Sequence, residues 1–143
     1  MSQKSCSTAI FFNPATKQVL LHKRDVFAPV SPNIWALFGG GSEIEDQGDP
    51  VKTLIREMNE EVGILFSASE IVALYDYFDQ ENNAHRFVFY IETDLDGRQI
   101  VLTEGAGYAW VDLAEALDSH KINIVEQTQT DLQYFVETKK ISW

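Results

Sequence analysis

The stretch from Asp49 to Gly63 carries its own start and stop signals, and it constrains the fold more than any other part of the chain. Asp49 is a residue type whose side chain accepts the orphan N–H groups of a first helical turn. Pro50 suits the first helical position, where its missing N–H would have had no partner. Gly63 suits the left-handed residue that closes a helix. Val51, Leu54, Ile55, Met58 and Val62 recur at helical spacing, so the pattern predicts a helix over Pro50–Val62 with one apolar stripe. A short helix of this kind draws its stability from laying that stripe on another element.

The rest of the sequence supplies such elements. Thr8–Phe12 and Gln18–Arg24 read as strands around a turn at Asn13–Lys17. Residues 25–34 read as a loop, and Trp35–Phe38 as a short apolar strand entering Gly39–Gly41. Ile71–Phe78 and Arg86–Ile91 read as paired strands around the polar turn Asp79–Asn83. Tyr108–Val111 is a further strand, with helices expected from about Leu113 to Leu117 and from about Val125 to Thr138. Hairpins mixed with helices, without regular βαβ alternation, mean an α+β fold.

At 143 residues the chain is expected to form a single domain over 1–143. Its lone Cys6 rules out an internal disulfide framework and a paired-cysteine zinc site. Eleven basic residues against 22 acidic ones give a formal charge of -11, a field that repels nucleic-acid backbone and anionic lipid. No apolar run is long enough to span a bilayer, and Met1–Thr8 lacks the apolar stretch of a signal peptide. A soluble cytoplasmic protein is expected, with neither a membrane nor a nucleic-acid polymer as partner.

The chemistry concentrates in Arg56-Glu57-Met58-Asn59-Glu60-Glu61-Val62-Gly63-Ile64. At 100° per residue, Glu57, Glu60 and Glu61 fall within an arc of about 100°, opposite the apolar stripe. Like charges at these spacings are mildly destabilising, and only Arg56 lies nearby to offset them. Clustered carboxylates without lysines suit a hard cation, and Mg²⁺ is typically held by a few carboxylates plus substrate phosphates. A divalent-metal site on an exposed helical face, entered through a glycine-rich turn, is the reading these residues support.

This stretch resembles the signature of the Nudix hydrolases, G-x5-E-x7-R-E-U-x-E-E-x-G-U with U apolar, and matches its whole second half. Trp35–Gly41 is similar to the family's lead-in strand and glycines, and Val19–Arg24 to an earlier strand ending in a basic residue. Glu104-Gly105 before Trp110-Val111 is similar to a later loop that often supplies another glutamate. The resemblance implies an α/β/α sandwich with a mixed central sheet and a loop–helix–loop catalytic box closed by Gly63. It implies Mg²⁺- or Mn²⁺-dependent hydrolysis of a nucleoside diphosphate linked to another group. Glu57, Glu60 and Glu61 match metal-binding glutamates, and Arg56 matches the arginine that orients one of them.

The first half of the box departs from the pattern. Counting back from Arg56 puts Gly48 where the box glutamate belongs and Ser42 where the box glycine belongs. Glu43, Glu45, Asp46 and Asp49 are all near enough to substitute. Beyond the box, Glu104 is the candidate for a further metal ligand or general base, its bland alternative being a solvated loop glutamate. Arg24 is a candidate phosphate holder, since guanidinium geometry suits phosphate oxygens. Gly40 and Gly41 are candidate substrate-binding positions, where backbone can approach a ligand closely. Trp35, Phe27, Tyr77 and Phe78 suit stacking on a base, with core packing or simple exposure as the alternative for each. His22, His85, His120 and Cys6 carry no assigned role.

A small nucleotide such as a nucleoside triphosphate or its oxidised form is favoured as substrate. The alternative is a non-catalytic Nudix domain that binds a nucleotide as a regulatory module. A homodimer is left open, because Tyr134, Phe135, Ile141 and Trp143 suit either an interface or the core.

Overall fold

The structure is a computed structural model that describes residues 4–24, 34–95, 107–118 and 120–143. The strands are β1 (Lys4–Asn13), β2 (Gln18–Lys23), β3 (Trp35–Ala36), β4 (Phe38–Gly41), β5 (Val72–Asp79), β6 (Ala84–Glu92) and β7 (Gly107–Asp112). The helices are α1 (Pro50–Val62), α2 (Leu113–Ala116) and α3 (Glu126–Lys139). Single 3-10 turns occupy Ile44–Asp46 and Ala68–Glu70.

One mixed sheet runs in the order β3-β2-β1-β6-β5, with β4 added to β1 and β7 to β2. The opening hairpin pairs Phe11 with Leu20, and Asn13 Oδ1 accepts the Ala15 N–H to shape its turn. β1 also runs parallel to β6, from Lys4↔Ala84 to Phe12↔Glu92. Successive strand residues point to opposite faces, so Ala9 and Phe11 pack towards α1 while Ile10 and Phe12 pack towards α2 and α3. Burial on both faces explains why β1 reads as an unbroken apolar run. The result is the expected α/β/α sandwich.

The α1 signals act as read. Asp49 Oδ1 accepts the Val51 N–H at 2.9 Å, and Gly63 ends the helix at φ 72°. Leu54, Met58 and Val62 are buried against Phe11, Phe38 and Phe89.

The strand expected over Trp35–Phe38 is divided. Leu37 leaves the ladder: its N–H donates to Thr128 Oγ1 at 3.3 Å and its carbonyl meets the His22 ring at 3.1 Å. Trp35 and Ala36 therefore pair with β2, whereas Phe38–Gly41 crosses to β1. That switch delivers the glycines to the edge of α1.

The register also shows which features share one end of the sheet. Cys6, near the start of β1, lies opposite both Gly41 and Arg86, and Lys4 lies opposite Ala84, which pairs with Asp79. Arg24, just past the end of antiparallel β2, belongs to the same end. No helix among the described residues is long and apolar enough to cross a membrane.

Candidate active site

Arg56 is the hub of the box. Its Nε donates to Asp46 Oδ1 at 3.0 Å, and its Nη2 donates to Asp46 Oδ2 at 2.9 Å and to the Gly41 carbonyl at 2.8 Å. Nη1 donates to Glu57 Oε1 at 3.0 Å and to Glu60 Oε2 at 3.2 Å. Five N–H donors thus meet five acceptors, the full capacity of a guanidinium. These bonds hold the loop, the glycine strand and two glutamates of α1 in one geometry.

Asp46 is the acidic residue that meets this guanidinium with both oxygens. It is only 3% exposed, and its Oδ2 also accepts from the Glu43 N–H and the Thr53 hydroxyl, each at 2.9 Å. Asp49 is engaged in capping α1. Glu43 and Glu45 are exposed and lie 3.8 and 3.7 Å from Arg56, too long for a hydrogen bond. The 3-10 turn at Ile44–Asp46 brings this carboxylate back to the arginine from a position out of register with the box.

The Arg56 fork holds the Asp46 carboxyl well below the usual carboxylate range. A carboxyl depressed in the folded state stabilises above its unfolded pKa of about 3.9, and that stability is lost as pH falls below it. Asp46→Asn should therefore cost about 3 kcal/mol near neutral pH, by analogy with breaking a buried ion pair. Urea unfolding at pH 7 and pH 3 should show the gap between wild type and variant narrowing at low pH. An equal gap at both would show that the ion pair contributes little.

Glu57 corrects one expectation, that all three glutamates stand on an exposed face. Its side chain is only 16% exposed and lies under β4. A Cβ placed on Gly40 would come within 2.2 Å of the Glu57 carboxyl carbon, so glycine is needed there for space. Burial, chiefly, pushes the Glu57 carboxyl up from its ordinary value, opposed by Arg56. Glu60 is 57% exposed, and half-buried Glu61 follows Glu57 by one helical turn. Among the described residues, no three acidic or histidine side chains converge closely enough to hold a cation by themselves. An all-oxygen donor set that is partly open suits a hard cation sharing its shell with substrate phosphates.

The sequence matches the family model described as NUDIX domain over residues 4–130. The chain belongs to the NUDIX domain family. No curated protein matches it. Among solved structures it is similar to the NUDIX domain of Shewanella oneidensis NrtR complexed with ADP ribose, at 17% identity and TM-score 0.75. That match covers 97% of this chain and 90% of that one. It is similar to a C. elegans Ap4A hydrolase at 19% identity and TM-score 0.65, covering 95% and 98% of the two chains. A MutT/nudix family protein from Enterococcus faecalis matches 77% of this chain at 18% identity and TM-score 0.61, but this chain spans only 44% of its length. The family match bears out the expectation of a Nudix domain, and the structural neighbours share its fold.

The remaining candidates of this Nudix chain fall in several places. Arg24 and Tyr77 line a cleft of about 630 Å³ on the α3 face, with Tyr75, Asp79 and Gln127. Trp35 instead packs against the core, bonded through its backbone to Asn123 and Val125. Phe78 is 42% exposed on the edge strand β5. Glu104 and Phe27 lie outside the described residues. His22 is half-buried against Phe38, and burial lowers its pKa. Phe135 closes the core, Ile141 packs against it, and Tyr134 stacks on Tyr75 at 4.1 Å.

The pattern reading missed a buried ion pair that holds Tyr75, one of the residues lining this cleft. Asp131, fully buried, accepts the Tyr75 hydroxyl and an Arg86 N–H, each at 2.6 Å. A signal was present. Asp131 interrupts the apolar face of α3 that Leu132 and Phe135 share, and a carboxylate there requires a cation.

Proposed function

We propose that the chain is a Mg²⁺- or Mn²⁺-dependent pyrophosphohydrolase that cleaves a nucleoside diphosphate linked to another moiety, with a nucleoside triphosphate or its oxidised form favoured. The observation that carries this reading is the Arg56 hub, which gathers Glu57 and Glu60 beside the Gly40–Gly41 backbone. A cleft with room for a nucleoside opens at the same end of the sheet, on its other face. Glu57, Glu60 and Glu61 would hold the cation, whose bound form neutralises phosphate charge and lowers the pKa of an attacking water. Arg56 fixes the direction in which Glu57 and Glu60 present their oxygens. Gly40 leaves room for Glu57, and Gly41 offers its carbonyl to Arg56. Arg24, in the lining of the cleft, would take a substrate phosphate, and Tyr77 would face the base. Glu104 would supply a further ligand or a general base.

Cleavage is favoured over binding alone because Asp46 supplies Arg56 with the carboxylate that the displaced box glutamate would have offered. The ADP ribose held by the NrtR domain supports a nucleotide-derived ligand.

The test is release of phosphate or pyrophosphate across triphosphates, oxidised triphosphates, ADP-ribose, nucleotide sugars and dinucleotides. Turnover of at least one class is expected with Mg²⁺ or Mn²⁺ and not with a chelator. Failure across the whole panel, with folded protein and both metals, would overturn the reading.

A further inference from the structure

The polar groups of the α3-face cleft have a one-sided hydrogen-bonding inventory. Asp79 is 8% exposed, and its four hydrogen bonds come from the chain itself. Oδ1 accepts the backbone N–H groups of Glu81 and Asn82 at 3.1 and 3.4 Å. Oδ2 accepts Asn82 Nδ2 at 2.6 Å and Gln127 Nε2 at 2.5 Å. A carboxylate can only accept, so both amides must turn their NH₂ groups towards it. Each amide is thereby fixed, and its carbonyl oxygen is held as an acceptor. The Thr130 hydroxyl donates to the Glu126 carbonyl at 3.1 Å, and the Tyr75 hydroxyl donates to Asp131. Asp79, Glu81 and Glu126 put three carboxylates in the lining against the one guanidinium of Arg24.

We infer that this cleft selects a base whose edge presents N–H donors, with the carbonyl oxygens of Asn82 and Gln127 and the Thr130 oxygen reading that edge. The excess of negative charge disfavours phosphate beside Asp79, Glu81 and Glu126 and leaves it to Arg24 and the box. The substrate class is then a nucleotide carrying an amino-substituted base. This rests on the cleft being the base end of the proposed substrate site.

The experiment uses binding, so it does not depend on cleavage. Nucleoside 5′-monophosphates with Mg²⁺ are titrated by calorimetry in matched pairs: cytidine against uridine, guanosine against inosine, adenosine against purine riboside. In each pair the amino-bearing member should bind about tenfold tighter, as one well-made hydrogen bond allows. Gln127→Leu and Thr130→Val should each shrink at least one of these ratios towards unity. Gln133→Leu, elsewhere on α3, should leave them unchanged. Equal affinities within every pair, or ratios unmoved in both variants, would overturn the inference. If no monophosphate binds while the panel above is hydrolysed, the cleft does not hold the base; the inference then falls and the hydrolase reading stands.

Discussion

Replacing Glu61 by Gln should reduce turnover by about a thousandfold while the fold persists, and Glu60→Gln should do the same. A cation that offsets transition-state charge contributes several kcal/mol, and each 1.36 kcal/mol is a factor of ten. The side-chain volume is conserved, and neither residue belongs to the buried cores that hold α1 to the sheet. Thermal unfolding should therefore move little, or upwards, because removing one of several close carboxylates relieves repulsion. Steady-state kinetics on the substrate found by the panel checks the prediction. Rates within a few-fold of wild type would remove these residues from the metal site.

The second large effect lies on the opposite face. Asp131 is fully buried, Arg86 is 12% exposed, and they meet at 2.6 Å. Arg86 Nε is also buried and has no hydrogen-bond partner among the described residues. Removing one charge leaves the other buried and uncompensated, so Asp131→Leu should destabilise by about 3–5 kcal/mol. Arg86→Met should cost a similar amount. The double variant should recover much of either loss, because two apolar side chains leave no stranded charge. Denaturant unfolding of the four proteins gives the coupling directly. Additive losses would mean that the pair is not energetically linked. Asp131 also fixes the Tyr75 hydroxyl, so Asp131→Leu should weaken nucleotide binding in the cleft.

Where structure was dictated by neighbours in sequence, the sequence was a sufficient guide. The bounds of α1 follow from Asp49, Pro50 and Gly63, and the hairpin turns follow from their polar residues. The carboxylate face of that helix follows from its pitch alone, although the burial of Glu57 does not. Glu57 is covered by β4, which pairs with β1 after Leu37 leaves the ladder to bond with Thr128, 91 residues away. Asp46 was one of four acidic residues near enough to meet Arg56, and spacing could not separate them. The deciding facts are a 3-10 turn and a buried Thr53 hydroxyl, neither of which has a local signature. The parallel pairing of β1 with β6 is likewise set by packing on two faces. Hairpin logic foresees only antiparallel neighbours.

The central claim is that the glutamates of α1 hold the catalytic cation. Electron paramagnetic resonance of Mn²⁺, titrated into wild type, Glu60→Gln and Glu61→Gln, tests it without reference to any substrate. The expected result is saturable Mn²⁺ binding to wild type that weakens by about tenfold or more in both variants, as loss of a charged oxygen ligand requires. Mn²⁺ binding of equal strength in all three folded proteins would contradict it.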